Sequence, residues 1–535
     1  MEDKSYFNGF LRADGRKVVN GQGDEVLLTG WGVGNWLLCE GYMWLSGGGA
    51  RLDRPHRIEQ VVRELIGTEK ANDFWTQYRE NYITEWDIAH MKQLGYNSVR
   101  IPFNWRLFME DEPGIIWKAE GFALIERCIK WCEKYELYAF LDMHGAPGGQ
   151  TGANIDDCID DVPRLFIDAD KWQKGVALWE ELAKRYSGNT AVGGYDILNE
   201  PIRPARDAAM KDYTYLLPKL SAFYDEAIVA IRKHDKNHMI SLEGHHWSTD
   251  VNVFHKKFDD NMIIHFHRYG VYPQRASFDK FLDISKRWNA PLWLGETGEN
   301  KLAWYSAYFQ LVLNYGIGYN LWPYKKMGAR NCPCLIKPPA DWDSIVRYSK
   351  GDAHPGYAKA ESILNEYLEN MKFENCELIS DITNYTMRKA PFFIQATDFD
   401  EDPNRCDLFK GSAEENNVFQ LRDNTGIRIV EERPPAEKEF RSDTQWDRFL
   451  VVLHPQEFVT YTVNEAGEGS LIRLECAADS DAVIQIAQNG MNKNEVHVGE
   501  ENKDCIEIPV DTHGRIEVRI ECVHGKIYLR KIHVG

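Results

Sequence analysis

The chain has 535 residues, 43% hydrophobic and 27% charged, a composition that fits a globular protein of more than one domain. Its 63 Lys and Arg against 82 Asp and Glu leave a net charge of −19, which argues against nucleic acid and anionic lipid as partners, since both are polyanions. No stretch approaches the roughly 20 apolar residues needed to span a bilayer, and the N-terminus has no basic start ahead of an apolar run. The 11 cysteines are scattered and form no CxxC pair, so they are expected to be mostly reduced, as in an intracellular (cytoplasmic) protein. The 17 Trp and 25 Tyr pack a core for the most part, but some can offer flat stacking surfaces to a neutral ligand.

Short apolar runs alternate with helix-period segments through residues 27–375. The runs begin at Val26, Asn97, Leu137, Gly194, His238, Asn261, Pro291 and Ile317. Amphipathic stretches lie between them at residues 83–94, 119–135, 172–186, 220–233 and 303–315. Eight strands alternating with helices predict a parallel sheet closed into a (β/α)₈ barrel. Residues 35–87 read as an insertion after the first strand. After about residue 385, ten short alternating strands with turns between them predict an all-β sandwich. The expected domains are a barrel over residues 1–380 and a sandwich over 388–535.

Nearly every predicted barrel strand ends in polar or aromatic residues: Arg100, His144, Asn199-Glu200, Glu243, His265 and His267, Glu296, and Trp322. Any one of them could be a hydrogen-bonded structural residue. Together they mark the barrel face where the strand ends gather and where chemistry is expected. Glu200 ends the fourth strand in Tyr195-Asp-Ile-Leu-Asn-Glu-Pro201, and Glu296 ends the seventh in Pro291-Leu-Trp-Leu-Gly-Glu-Thr-Gly298. Strands four and seven lie across a barrel mouth from each other. Glycosidic cleavage needs two such carboxyl groups: one protonates the leaving oxygen, and the other attacks the anomeric carbon in a retaining enzyme.

These motifs resemble glycoside hydrolase family 5, whose barrel is matched over residues 20–370. The resemblance implies Glu200 as acid/base and Glu296 as nucleophile. It implies Arg100, in Val99-Arg-Ile-Pro102, as the cation that keeps Glu296 ionised, Asn199 on the sugar 2-hydroxyl, His144 in the binding site, and Trp322 as the platform beneath the sugar. The family's His-x-Tyr is matched less cleanly by His265-Phe-His267-Arg-Tyr269. Either His265 is the family His with His267 in place of Tyr, which is preferred, or the motif is His267-Arg268-Tyr269. Strand alternation points all three the same way and does not choose.

His144-Gly-Ala-Pro-Gly-Gly-Gln-Thr-Gly152 and Trp36-Leu-Leu-Cys-Glu40 resemble segments of exo-acting β-1,3-glucanases in that family. The resemblance gives Glu40 a place at the non-reducing end of the sugar and predicts release of glucose from β-glucans or β-glucosides. Another β-linked sugar or a glycolipid is the alternative, and a non-catalytic carbohydrate-binding protein is the alternative of another class. No cofactor and no metal are expected; the expected partner is a carbohydrate substrate, without nucleic acid or membrane insertion. His245-His246 with Glu243 suggests a metal, but adjacent residues of an extended chain face opposite ways, so a structural or sugar-lining role is preferred. Lys325-Lys326 reads as a solvated loop. Trp31, Trp44, Trp105 and Trp247 are candidate platforms or core residues. The tail resembles carbohydrate-binding sandwich modules, with a poor match in its last strand.

Overall fold

The computed structural model describes residues 6–206, 209–434, 448–467, 469–499 and 505–535. Eight parallel strands close a barrel in chain order. They are β1 (Thr29–Gly32), β2 (Ser98–Asn104), β3 (Tyr138–Gly145), β4 (Val192–Asp196), β5 (Met239–Glu243), β6 (Met262–Arg268), β7 (Leu292–Gly298) and β8 (Gly318–Trp322). All eight coincide with the apolar runs. β2, β3, β6 and β7 are buried along their whole length, which is why they read as continuous apolar segments rather than as alternation.

The insertion after β1 contributes helices α1 (Pro55–Ile66) and α2 (Thr68–Asn81). The barrel then runs through α3 (Glu85–Leu94), α4 (Ala119–Lys134), α5 (Ala169–Tyr186), α6 (Leu217–His234), α7 (Asp279–Trp288) and α8 (Leu302–Asn314). The start of α3 is set locally: Thr84 and Asp87 form a capping box, with Thr84 N donating to Asp87 Oδ2 at 2.8 Å. Gly95 at φ 99° ends the helix in a left-handed cap. Between β5 and β6 there is only a four-residue turn, His245–Ser248.

An N-terminal hairpin, Arg12–Asp14 with Lys17–Val19, closes the bottom of the barrel. Leu11, Val18, Val26 and Leu28 pack there on Tyr138, Phe140, Met239, Ile263 and Trp293. Each such burial stabilises the fold by about 1.5–3 kcal/mol. The insertion is anchored by Trp44, whose ring lies between 5.4 and 6.5 Å from those of Phe74, Trp75, Tyr78, Trp342 and Tyr367. Trp44 and Trp31 are therefore fully buried core residues, not platforms, and Trp105 is buried as well. The expected solvated loop at Lys325-Lys326 is also corrected, since both residues are buried. Lys325 Nζ donates to the Tyr82 and Met371 carbonyls and pairs with Asp87 at 2.6 Å, which replaces its lost hydration.

The chain divides into two compact units. The first comprises residues 1–267, 280–297 and 318–379; the second comprises residues 268–279, 298–317 and 380–535. From Phe392 onward the second unit is all-β. One sheet orders β11 (Arg428–Glu431), β12 (Phe449–Leu453), β19 (Ile527–Val534), β14 (Leu471–Ala478) and β17 (Cys505–Pro509), with β9 (Phe392–Gln395) also on β19. The other orders β10 (Phe409–Lys410), β13 (Phe458–Ala466), β18 (Gly514–His524), β15 (Ala482–Gln488) and β16 (Met491–Val498). The expected strand at residues 417–421 is instead a tight turn with Phe419 at φ 53°. Asn417 causes it: its side-chain amide donates to the Leu421 and Ile427 carbonyls, each at 2.9 Å, curling the chain back on itself. β16 has no counterpart among the predicted strands because Asn-Lys-Asn-Glu breaks its apolar alternation.

Candidate active site

The site is organised by one guanidinium. Arg100 sits on β2, fully buried, and bonds to the ends of four other strands. Its Nε donates to Asp196 Oδ2 at 2.8 Å, and one terminal nitrogen donates to Glu296 Oε2 at 2.6 Å. The other terminal nitrogen reaches Asn199 Oδ1 at 2.8 Å, Glu243 Oε1 at 3.0 Å and Asp142 Oδ2 at 3.0 Å. Burial alone would lower its pKa, but the four carboxylates outweigh burial and push it well above the ordinary arginine value.

His144 extends the network. Its Nδ1 lies 2.8 Å from Asp142 Oδ2 and its Nε2 3.2 Å from Asn199 Nδ2, so Arg100, Asp142, His144 and Asn199 form a closed ring. The His144 and Trp322 rings stack in parallel at 5.1 Å. Room for Trp322 comes from Gly32 and Gly34, where a Cβ would lie 2.5 Å from the indole. The loop after β3 then locks the acid segment. Gln150 Nε2 donates to the His144 and Asn199 carbonyls, each at 2.8 Å, and Ile202 N donates to Gln150 O at 3.0 Å.

Glu200 sits at φ 43°, a left-handed conformation held by its surroundings. Its backbone N–H donates to Glu243 Oε2 at 2.7 Å, and its Oε1 lies 2.7 Å from His267 Nδ1. His267 Nδ1 is also 4.0 Å from Glu296 Oε1, so this imidazole stands between the two glutamates. Oxygens of Glu200 and Glu296 and a nitrogen of His267 lie within 4.8 Å of one another. Beneath them His265 Nε2 meets His267 Nε2 at 3.0 Å, while His265 Nδ1 faces Ser241 Oγ at 3.0 Å and Asp196 Oδ1 at 3.1 Å. Tyr269 lies one residue beyond the end of β6 and is half-buried.

Four carboxylates bond to Arg100 and Glu200 stands beside them, so burial and neighbouring charges shift these groups in different directions. Burial, and after it the neighbouring Glu296 and Glu243, raise Glu200 above the ordinary glutamate value despite the opposing pull of His267. Burial likewise raises Asp142. Asp196 and Glu243 are lowered, because their imidazole neighbours outweigh burial. His267 rises well above the usual histidine range: Glu243 and Glu296 overcome its burial. The arrangement provides a carboxyl group at Glu200 that releases its proton less readily than an ordinary glutamate and a carboxylate anchored by Arg100 at Glu296.

Asn35 places Glu40. Held at φ 65°, Asn35 Oδ1 accepts from Glu40 N and Trp44 Nε1, both at 3.2 Å. Glu40 is buried, and two residues later the Tyr42 hydroxyl accepts from Trp322 Nε1 at 3.0 Å. A cleft of about 880 Å³ lined by Tyr42, Gly47, Arg51, Asp53 and Asn154 adjoins this segment.

Asp142, Asp196 and Gln150 have no part in the site expected from sequence. Asp142 and Asp196 carry a signal that could have found them, as charged residues inside otherwise apolar strands. Glu243 is expected among the polar strand ends and beside His245-His246, without an assigned role, and it belongs to the Arg100 cluster. The opposite-facing expectation for His245 and His246 is corrected: their rings are 4.0 Å apart, because the chain there is a left-handed turn. Burial, then His246, pushes the His245 imidazole down to about 4.

Among the described residues, Glu243-His265-His267, Glu200-His267-Glu296 and His245-His246-Asp250 bring three metal-type donors together. In the first two, the carboxylates are engaged by Arg100 or by His267.

A closed parallel barrel with two facing glutamates at its mouth defines the class of glycoside-hydrolase barrels. Residues 60–328 match the family described as cellulase (glycosyl hydrolase family 5), and the chain belongs to that family. It is 34% identical over 265 residues to a beta-xylosidase of Phanerodontia chrysosporium, covering 49% of this chain and 52% of that enzyme. It is 27% identical to a glucan 1,3-beta-glucosidase of Candida oleophila, over 48% of this chain and 60% of that protein. An endoglucanase C of Acetivibrio thermocellus is 24% identical over 48% of this chain and 87% of that protein. The chain thus spans little more than half the length of the first two.

Proposed function

We propose that this chain is a retaining β-glycoside hydrolase that releases a terminal sugar. The observation that carries the reading is the pair of Glu200 and Glu296 with oxygens within 4.8 Å. That closeness fits the roughly 5–5.5 Å carboxyl separation of double displacement better than the roughly 6.5–9.5 Å of an inverting pair. Glu296, bonded by Arg100 at 2.6 Å, attacks the anomeric carbon. Glu200, whose pKa is raised by burial, protonates the departing oxygen. Once Glu296 is esterified its charge is gone, Glu200 ionises more readily, and it deprotonates the incoming water.

Exo action is supported by Glu40 and by the bond from Trp322 to Tyr42, which bring the insertion against the sugar platform. His144, Asn199 and Trp322 bind the terminal ring, with His265 and His267 holding the carboxylates below it and Tyr269 at the strand end. A β-glucoside is the first choice of substrate. A β-xyloside is the second, favoured by the 34% identity to a protein named beta-xylosidase. Both predict that aryl β-glycosides are cleaved to a β-anomer, observed by NMR before mutarotation. An α-anomer as first product would refute retention. A 2-fluoro glycosyl fluoride should label one peptide within residues 291–299, and a label elsewhere removes Glu296 from the nucleophile role. Release of disaccharide or longer products from an aryl cello- or laminaritrioside would overturn exo action.

A further inference from the structure

The turn after β5 replaces a barrel helix with a strained loop. His246, Trp247 and Ser248 take φ of 56°, 60° and 52° in succession, a left-handed run that L residues adopt only where the surroundings impose it. The loop is closed by Asp250 N on His245 O and Thr249 N on His246 O, both at 3.2 Å. Gly244 makes the closure possible, since a Cβ there would sit 1.7 Å from the Asp250 carbonyl oxygen.

Three donors converge as a result. The His245 and His246 rings are 4.0 Å apart, and Asp250 Oδ1 is 3.7 Å from His245 Nδ1. One donor atom from each of the three residues lies within 4.8 Å of the others. His245 is 1% exposed, and its Nδ1 has no hydrogen-bond partner among the described residues. A buried ring nitrogen without a partner is costly and calls for a ligand. His246 and Asp250 are part-exposed, which gives an ion a way in. Behind them His246 Nε2 meets Thr214 Oγ1 at 3.3 Å, and Thr214 is held by Asp212 at 2.6 Å, an outer layer of the kind that orients metal-bound imidazoles. Lys280 acts against a cation here, and Asp250 and Asp212 oppose it.

We propose that His245, His246 and Asp250 bind a divalent transition-metal ion of the Zn²⁺ type. Two imidazoles and one carboxylate suit such an ion better than Mg²⁺ or Ca²⁺, which prefer all-oxygen sites. The site is distinct from the catalytic carboxylates. It touches their loop at one point, where His246 N donates to Ile202 O at 2.9 Å, two residues beyond Glu200.

The test is calorimetric titration of the chelator-treated full chain with ZnCl₂. One equivalent should bind, with affinity weakened about tenfold or more in His246→Gln and in Asp250→Asn, and unchanged in Glu200→Gln. No stoichiometric uptake would overturn the proposal. So would uptake that survives His246→Gln but is lost in Glu200→Gln, which would put the ion between the catalytic glutamates. A crystal of the unmutated chain soaked in ZnCl₂ tests the site independently of how the variants fold. An anomalous peak between His245 and Asp250 supports the site; a peak elsewhere, or none, refutes it.

Discussion

β2 of the barrel and β14 of the sandwich are both well packed, but they spend their buried positions differently. β2 is buried at all seven positions and carries Arg100 in their midst, tied to four carboxylates and an amide. β14 alternates, and its buried positions are Ile472, Leu474, Cys476 and Ala478. On β14 each buried side chain adds apolar area and little else. At the barrel mouth, desolvated charges are retained although a well-packed apolar replacement is often as stable or more so. Stability is spread over many positions in one region, and chemistry is concentrated in a few costly ones in the other.

The sharpest way to break that contrast is at the nucleophile. Glu296→Ala should lower turnover of an aryl β-glycoside on the order of 10⁴-fold or more, with the thermal transition little changed. A fall of less than tenfold would end its assigned role. Next comes the hub. Arg100→Met leaves four carboxylates without their fixed cation and should destabilise the fold by about 3–5 kcal/mol, measured by denaturant unfolding.

Glu200→Gln should slow turnover by about 10²–10⁴-fold and remove the basic limb of the pH profile, which in the parent lies above the ordinary glutamate range. It should also stabilise the fold. A carboxyl whose pKa is raised on folding contributes stability that is present below its unfolded value and lost as pH rises through the folded one. The Gln variant escapes that loss, so its advantage should grow across this window. A variant less stable than the parent at neutral pH contradicts the burial argument. The smallest effect belongs to the sandwich. Ile520→Val on β18 removes one buried methylene and should cost about 0.5–1.5 kcal/mol with kcat of the folded protein unchanged.

Much of the molecule is legible in its amino-acid order. The barrel strands stand out as apolar runs, and Arg100, His144, Asn199, Glu200 and Glu296 stand out because polar residues at strand ends are rare without a purpose. Asp142, two residues before His144, and Asp196, three before Asn199, lie within the same runs. His267 is visible, but its position between two glutamates is not. Residues 417–421 read as a strand and fold as a turn because Asn417 bonds its own neighbours, an interaction that a hydrophobic pattern does not register.

The sequence by itself determined the order of the barrel strands and helices, the two architectures and the identity of the facing glutamates, because these follow from local periodicity and from which residues end each run. Only the tertiary structure decided what surrounds them. The convergence of four carboxylates on Arg100 and the placing of His267 come from barrel closure. The left-handed turn that brings His245, His246 and Asp250 together is imposed by the loop closing over Gly244. Contacts between residues far apart in the chain, and backbone conformations imposed by surroundings, leave no periodic trace in a sequence.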